Sequence, residues 1–353
     1  MIEYVTFTDA TQNIVRKLTD RAFLPASAEL VRKFLANPLR RLDPDAGNLA
    51  VEDGVPVAFQ AAVVRKVVSC GEEIPAMTGG MLSSVPGTDP LVIFEIVKQS
   101  TRPRAGSLLY FGNTACKAAL RLNKLRGISG TGPASCAIQR LQPIHWTRFA
   151  WYLFVHKVFK CQNLGGRKLT STIKAFRLSF GHDEVRYLPE VDEREWTDFW
   201  TRYKCGISGL TSSRTFEEMS WAFKGLRWCA LGYYREGRLA GCVVLKSGDE
   251  HGNRWSIADW LAIGNDENVL DRLLVAAKNF LRRRTHAMLF QTTGFPTFIQ
   301  PVLARHFKYT RPLYSNEFLY RFDDEAIKEK VMPVMDTKDS WFFGPYDGDA
   351  CLF

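Results

Sequence analysis

The sequence lacks closely spaced cysteines, segments of low complexity and any apolar run of membrane-spanning length. Its eight cysteines are scattered through 353 residues without a C-x-x-C pair. Such spacing argues against a structural zinc site and against a disulfide framework, so we expect no bound metal. Low-complexity blocks are a usual sign of disorder, and their absence predicts a chain that is folded over most of its length.

Neither the N-terminal segment nor the most apolar run of the sequence has the features of an export signal or a membrane span. The start, MIEYVTFTDATQNIV, has no basic residues before an apolar core, which a secretory signal requires. The run Trp146 to Lys160 contains Arg148, His156 and Lys157 and is shorter than the roughly 20 residues of a membrane span. It fits a connector helix packed on the domains, the commoner role, or a helix on a membrane surface. We expect no transmembrane segment and a cytoplasmic location.

Size and charge narrow the class of protein further. A chain of this length exceeds one ordinary hydrophobic core and fits about two domains. Hydrophobic residues make up 46% and charged residues 24% of the chain, and the net charge is +10 at pH 7. This charge indicates anionic partners, although a basic surface also serves solubility. No nucleic-acid motif accompanies the basic runs, so nucleic acid is not expected as a partner. A homodimer is left open.

The sequence contains the same pattern of predicted strands and helices twice. Residues 50–64 (AVEDGVPVAFQAAVV) and 233–246 (YYREGRLAGCVVLK) each place apolar runs around an acidic residue and a glycine, which predicts a β-hairpin. In each half a further strand, a helix, a strand and a second helix follow. The helices at 91–100 and 269–284 have apolar residues at helical spacing. We therefore predict domains at 1–145 and 191–353, joined by a connector at 146–190.

The order of these elements is similar to that of the GNAT acyltransferase fold. The resemblance is carried by EDGVPVAF at 52–59, GEEIPAMTGGMLSSV at 71–85, YFGNTACKAALRLNKL at 110–125 and SWFFGPYDGD at 340–349. It implies an α/β (α+β) protein of two tandem GNAT-like domains, each a mixed, mostly antiparallel sheet flanked by helices. It also implies that acyl-CoA enters between the parallel, splayed fourth and fifth strands. The pantetheine arm would then pair with the fourth strand as an added strand.

The resemblance implies a donor site in the first half of the chain. Its acyl-CoA-binding residues would be Leu82, Ser83, Ser84, Val85, Gly87, Thr88, Asn113 and Lys117. Gly87 permits close approach of a phosphate, and Thr88 has a hydroxyl to donate. Asn113 fits a helix N-cap at least as well, and Lys117 also fits a solvated lysine.

Both candidate phosphate loops depart from the family pattern R/Q-x-x-G-x-G/A. The first reads VPGTDPLV (85–92), with Asp89 before a helix, and the second reads AIGNDENV (262–269), with Asp266 and Glu267 there. Carboxylates suit a helix start, but they repel a diphosphate in the same place. The first half, with one carboxylate instead of two, is therefore the preferred donor site. The tyrosine with which the family protonates the departing thiolate is also missing.

Acyl transfer to an amine needs a base, and several carboxylates are candidates. We name Asp259, Glu95 and Asp349, with His306 and Asp347 as further candidates. Asp259 lies in the predicted strand IADWL, where burial would raise its pKa, although a paired strand-end acid is the more frequent case. His306 fits a satisfied helix-end histidine better than a base. The tail Asp347 to Asp349 fits an ammonium-binding site or a turn.

These observations favour a GNAT-type N-acyltransferase as the function. It would move an acyl group from acetyl-CoA or another acyl-CoA to an amino group of a small molecule, an amino sugar or a peptide. One alternative is a non-catalytic, degenerate GNAT binding module, indicated by the two poor phosphate loops. Another alternative is a Fem-type transferase that uses aminoacyl-tRNA. Binding of tRNA depends on cationic contacts with its phosphates, which the net charge of this chain would supply. The long helical arm with which such enzymes bind tRNA is not evident in this sequence.

Overall fold

Alternating apolar residues and tight turns make the chain rich in β-strands. The structure is a computed structural model, and it describes residues 1–7, 10, 13–14, 17, 33, 35–42, 47–103, 106–111, 121, 124–131, 138–159, 175–223, 228–249, 251–293, 297–312, 318–335, 341–342 and 346. The strands in these ranges are β1 (Ile2–Thr6), β2 (Asn48–Glu52), β3 (Val55–Ser69), β4 (Glu72–Ser84), β5 (Leu108–Phe111), β6 (Ser129–Thr131), β7 (Ile138–Pro143), β8 (Arg177–Phe180), β9 (Asp183–Leu188), β10 (Leu210–Ser212), β11 (Trp228–Arg235), β12 (Arg238–Ser247), β13 (Arg254–Ala262), β14 (Leu289–Thr292), β15 (Tyr309–Pro312), β16 (Phe318–Phe322) and β17 (Trp341–Phe342).

The helices are fewer, and the longest belongs to the second half of the chain. The α-helices in the described ranges are α1 (Pro90–Ser100), α2 (Trp146–Phe159), α3 (Glu193–Cys205), α4 (Phe216–Ala222), α5 (Glu267–Arg284), α6 (Gln300–His306) and α7 (Glu325–Met335). Short 3-10 helices occur at Pro38–Leu42, Ile263–Asn265 and Thr297–Ile299. No helix in the described part of the chain is both long and apolar enough to cross a membrane.

The chain divides into two compact units. Unit 1 comprises Met1–Pro133, Ser208–Ala222 and Tyr314–Phe353, and unit 2 comprises Ala134–Ile207 and Phe223–Leu313. These units differ from the predicted division at 145 and 190, because segments from each half of the sequence enter the sheet of the other half. The segment predicted as a connector also contributes the hairpin β8–β9 to unit 2.

Each unit contains one mixed sheet with the same layout. In unit 1 the strand order is β1-β2-β3-β4-β5-β16-β6, and β10 adds to β3 and to β17. In unit 2 the order is β15-β7-β14-β13-β12-β11-β9-β8. Neighbours on both main paths are antiparallel except β4 with β5 and β13 with β14, which are parallel. The predicted α/β (α+β) fold class, with mixed, mostly antiparallel sheets flanked by helices, is confirmed.

Along its main path, each sheet includes one strand from the other half of the sequence. The strand between β5 and β6 in unit 1 is β16, which comes from near the end of the chain. The strand between β14 and β15 in unit 2 is β7, which directly follows the unit 1 part of the first half. This reciprocal exchange explains why each unit is built from separate stretches of sequence.

The repeated hairpins form at the predicted positions for a conformational reason. Asp53 and Gly54 have φ of 50° and 72°, and Glu236 and Gly237 have φ of 51° and 77°. Two successive residues with positive φ define the turn that matches the twist of a two-residue hairpin. These turns join β2 to β3 and β11 to β12, and they confirm the hairpin prediction in both halves.

Helix packing on the sheets provides the core of each unit. In unit 1, Val92, Ile96 and Val97 of α1 pack against Ala50 and Ala58 of the sheet. A second cluster joins Val331 of α7 to Val67, Ile74, Ala76, Leu108, Leu210 and Tyr320. In unit 2 the predicted apolar stripe of α5, at Leu270, Leu273, Leu274, Ala277 and Leu281, is fully buried. Burial of one helix face is what its 3.6-residue periodicity predicts.

Candidate functional site

In the described part of unit 1, the pairing between the parallel strands β4 and β5 stops partway along β4. They pair only from Ala76 with Leu108 to Gly79 with Phe111, where β5 ends. Strand β4 continues to Ser84 and from there on pairs only with β3. Beyond Gly79, therefore, β4 has no neighbour on its β5 side among the described residues. A strand edge with unpaired backbone groups is a template for an extended ligand.

The register between β3 and β4 shows which backbone groups face the opening, meaning the side of β4 that β5 leaves unpaired beyond Gly79. A bulge separates the pairs Ala61 with Gly80 and Phe59 with Ser83, so β4 carries an extra residue there. After the bulge, the amide of Val85 donates to the carbonyl of Val57 at 2.8 Å. Because successive residues of an antiparallel strand point their N–H groups to opposite sides, the N–H of Ser84 points to the opening. Leu82, Ser83, Ser84 and Val85 are only half-buried.

Unit 2 contains the corresponding strand pair, but its edge is covered. Strands β13 and β14 pair from Arg254 with Leu289 to Ser256 with Gln291. The rest of β13, from Ile257 to Ala262, pairs with β12 and is buried at every residue. Among the described residues, therefore, the edge of β4 in unit 1 is the more accessible of the two. This is the half that the sequence favours for the donor.

The start of α1 has few donors left for a phosphate. Pro90 has no N–H, and the amides of Leu91 and Val92 donate to the side chain and the carbonyl of Asp89 at 2.8 and 3.0 Å. The hydroxyl of Thr88 donates to the carbonyls of Val57 and Val85. Gly87 has φ of 88°, and a Cβ placed on it would meet no atom within 4 Å. The turn conformation alone thus accounts for this glycine.

At the start of α5 in unit 2, the first backbone amides also donate to an aspartate. The side chain of Asp266 accepts hydrogen bonds from the amides of Asn268 and Val269 and pairs with Arg235 at 2.9 Å. Burial alone would raise the pKa of Asp266, but the bonds from Arg235 and from the two amides lower it overall. The carboxylate therefore stays charged at the position where a diphosphate would need positive partners.

The structure places the candidate bases in different surroundings. Glu95, on α1, pairs with Lys98 at 3.2 Å, and the hydrogen bond from Gln99, followed by that from Lys98, lowers its pKa. A lowered pKa makes Glu95 a weak base. Asp259, on β13 in unit 2, is fully buried and lies opposite Val244. Asn113, Lys117, Asp347 and Asp349 lie outside the described residues.

His306 is held at the end of α6, as the sequence indicates. Its Nε2 lies 2.9 Å from Oδ1 of Asp271 on α5, and Arg305 pairs with the same oxygen at 3.1 Å. Burial lowers the pKa of His306, and the hydrogen bond to Asp271 partly opposes this. The neutral form of the imidazole is therefore favoured in the folded protein.

A polar cluster in unit 2 escaped the sequence analysis. The hydroxyl of Tyr233 donates to Asp183 and accepts from Arg272, and Arg272 also pairs with Asp183 at 2.8 Å. Burial, followed by the bond to Asp183, raises the pKa of Tyr233. The three residues come from β11, β9 and α5, so only the tertiary fold brings them together.

No model of a protein family matches the sequence, and neither does the sequence of any curated protein. Solved structures do match. A GCN5-related N-acetyltransferase from Anabaena variabilis is 8% identical, with a TM-score of 0.53 over 92% of this chain and 73% of that chain. One from Kribbella flavida is 12% identical, with a TM-score of 0.51 over 91% and 71%. N-myristoyltransferase of Saccharomyces cerevisiae, with bound myristoyl-CoA, is 13% identical, with a TM-score of 0.51 over 91% and 78%. At these identities the likeness shows that this chain shares the fold of these enzymes.

Proposed function

We propose that this protein, which has a GNAT-superfamily fold, transfers an acyl group from an acyl thioester, in the first instance acyl-CoA, to an amino group. The observation that carries the proposal is the accessible edge of β4 in unit 1, beyond its last pair with β5. A pantetheine arm is an extended chain with two amides, so it can pair with this edge as a strand would. The solved relative with bound myristoyl-CoA supports the choice of donor.

The reaction requires three contributions from the protein. The amine nitrogen, freed of its extra proton, attacks the thioester carbonyl, and a tetrahedral oxyanion forms. Outward-pointing amides of β4 at the bulge are the donors that the unit 1 edge offers to this oxyanion. The bonded nitrogen gives up a proton, the oxyanion collapses as the C–S bond breaks, and the departing thiolate takes up a proton. Asp259 and Asp349 stay hypotheses for the base, whereas the low pKa of Glu95 disfavours it.

The fit to acyl-CoA differs between the two parts of that molecule. The arm fits the edge of β4, but the diphosphate does not fit the start of α1, because Asp89 and Pro90 use or remove the donors there. We therefore expect contacts with the pantetheine arm and the acyl chain to supply most of the affinity for acyl-CoA, and not a diphosphate-binding site at the start of α1.

A thermal-shift experiment tests this proposal. Acetyl-CoA, a long-chain acyl-CoA and the matching acyl-pantetheine, which has no diphosphate, would each be added to the full chain. A ligand that binds only the native state stabilises it by about 2.7 kcal/mol at a hundred times its Kd. We expect acyl-pantetheine to keep most of the shift produced by its acyl-CoA. No shift with any donor at millimolar concentration would contradict the proposal.

The carboxylate caps of α1 and α5 favour one alternative, a binding module without catalytic activity. Such a module would bind the arm but would not turn it over. Release of free thiol in the presence of a panel of amines separates the two functions. A thermal shift without thiol release for any amine would favour the module, and amine-dependent release would favour the transferase.

A further inference from the structure

Helix α2 of unit 2 exposes large apolar side chains to solvent. Trp151 is 59% exposed, Phe154 50% and Val158 56%. None of the side chains of α2 that the structure describes is fully buried. A helix that is apolar around its circumference normally lies inside a protein or against another apolar phase. Exposed patches of this kind mark interaction sites.

The exposed side chains form one face of the helix. Trp151, Phe154 and Val158 follow one another at spacings of three and four residues, which places them along one side. The rings of Trp151 and Phe154 stack with centroids 5.7 Å apart. The opposite side holds the helix to unit 2, since Arg148 donates to the carbonyl of His286 at 2.8 Å. At the first turn, Trp146 packs edge-on against Tyr309.

The sequence on both sides of α2 is basic. Between Ile96 and His182 the sequence has fifteen lysines and arginines and no aspartate or glutamate. Arg282 and Arg283 are exposed at the end of α5, and Arg282 lies close to His145, directly before the start of α2. There, burial and the charges of Arg148 and Arg282 lower the pKa of His145. An exposed lysine, Lys308, precedes Tyr309.

We propose that α2 docks this protein on an anionic lipid surface, lying in the plane of the interface. Its 14 residues extend about 21 Å at 1.5 Å per residue, too short to cross a bilayer core of about 30 Å. The Trp151–Phe154–Val158 face enters the boundary between headgroups and acyl chains, and Arg282, Arg283 and Lys308 contact lipid phosphates. Aromatic and aliphatic residues beside basic ones characterise interfacial helices.

A lipid surface fits better than the other candidate occupants. A second copy of the chain would bring its own acid-free, basic segment to the interface, so like charges would face each other. A nucleic acid would pair with the basic residues, but it would leave the aliphatic side chains Leu153 and Val158 without an apolar partner. An anionic bilayer offers negative charge and an apolar layer together.

Vesicle co-sedimentation with the full chain tests the proposal. We expect binding to vesicles of phosphatidylcholine with 30% phosphatidylglycerol, weak binding to pure phosphatidylcholine, and weakening at high salt. Trp151→Ser with Phe154→Ser removes the two rings that would enter the lipid boundary and should weaken binding at least about tenfold. Arg282→Gln and Arg283→Gln should weaken it by about fivefold each. Leu125→Ser, at a side chain 80% exposed in unit 1, is the control and should bind like the wild type.

A second measurement does not depend on the folding of a variant. Lipids brominated on their acyl chains should quench the tryptophan fluorescence of the wild type, and Trp151→Phe should lose part of this quenching. Equal binding to neutral and anionic vesicles, no binding, or binding that survives the loss of both rings would overturn the proposal. It would also be overturned by a dimer that Trp151→Ser with Phe154→Ser dissociates, or by RNA binding that depends on the arginines but not on the rings.

Discussion

The carboxylate of Asp89 accepts a hydrogen bond from the backbone amide of Leu91 at 2.8 Å. This contact uses one of the first backbone amides of α1, which begins shortly after the accessible end of β4. Asp266 closes α5 in unit 2 in the same manner. An aspartate at this position stabilises the helix by satisfying its first amides. In both units the residue that secures the helix start is therefore also the one that opposes a diphosphate there.

Asp89→Asn separates these two effects. Asparagine is as good an N-cap as aspartate, so the variant should unfold like the wild type. It lacks the negative charge, which costs on the order of 1 kcal/mol near a phosphate, so calorimetry should show acyl-CoA binding several-fold tighter. Asp89→Ala is the control, because it removes cap and charge together and should lose about 1 kcal/mol of stability. Unchanged acyl-CoA binding by Asp89→Asn would show that this carboxylate does not face the donor, and weaker binding would contradict the repulsion.

The pair of Asp266 and Arg235 should make stability depend on acid. The folded protein holds the pKa of Asp266 below its ordinary value. Stabilisation by such a group is fully present above the unfolded pKa of about 4, and it is lost as the pH falls through the folded pKa. A double-mutant cycle with Asp266→Asn and Arg235→Gln, measured by urea unfolding, should give a coupling of about 0.2–1 kcal/mol at pH 7. The coupling should decrease as the pH is lowered from about 4 through the folded pKa, and a coupling that acid leaves unchanged would contradict the ion pair.

His306 should titrate below the ordinary histidine pKa of about 6.5, because burial disfavours its charged form. Asp271 opposes that shift, so Asp271→Asn should lower the midpoint further. NMR titration of the imidazole signals measures this, and His306→Gln identifies the signal. A higher midpoint in Asp271→Asn would be incompatible with the observed contact of 2.9 Å. Since the folded pKa is the lower one, His306 should destabilise the fold as the pH drops below about 6.5.

Gly241 should tolerate no side chain. A Cβ there would lie 2.6 Å from Val269 and 2.9 Å from the carbonyl oxygen of Leu261. Because α5 packs directly on β12 at this point, Gly241→Ala should cost about 1–3 kcal/mol of unfolding free energy through overpacking. Gly248→Ala is the matched control, since its Cβ would have ordinary contacts of 3.7 Å and longer. Similar melting temperatures for the two variants would refute this packing.

Local features of this fold could be predicted, and non-local ones could not. The turns at Asp53-Gly54 and Glu236-Gly237 follow from backbone conformation, and the buried stripe of α5 follows from its periodicity. The positions of β7 and β16 in the sheets could not be predicted in this way, because the sequence of a strand does not determine which strand it pairs with. Likewise, the carboxylate at each helix start is evident from sequence. The contact of Tyr233 with Asp183, 50 residues away, is not.

The last prediction concerns the backbone N–H of Ser84, which points to the opening beside β4. Ser84→Pro removes that donor, while the amide of Val85 still bonds to Val57 on β3. If an acyl donor pairs with this edge, the variant should bind acyl-CoA and acyl-pantetheine about fivefold to tenfold more weakly, as expected for one lost hydrogen bond. Ser84→Ala is the matched control, because it keeps the N–H and loses only the hydroxyl, and it should bind both donors like the wild type. Thermal shifts titrated with each donor provide the measurement, and the melting temperature without donor reports on the fold. If Ser84→Pro folds and binds both donors with wild-type affinity, the edge of β4 is not the donor site.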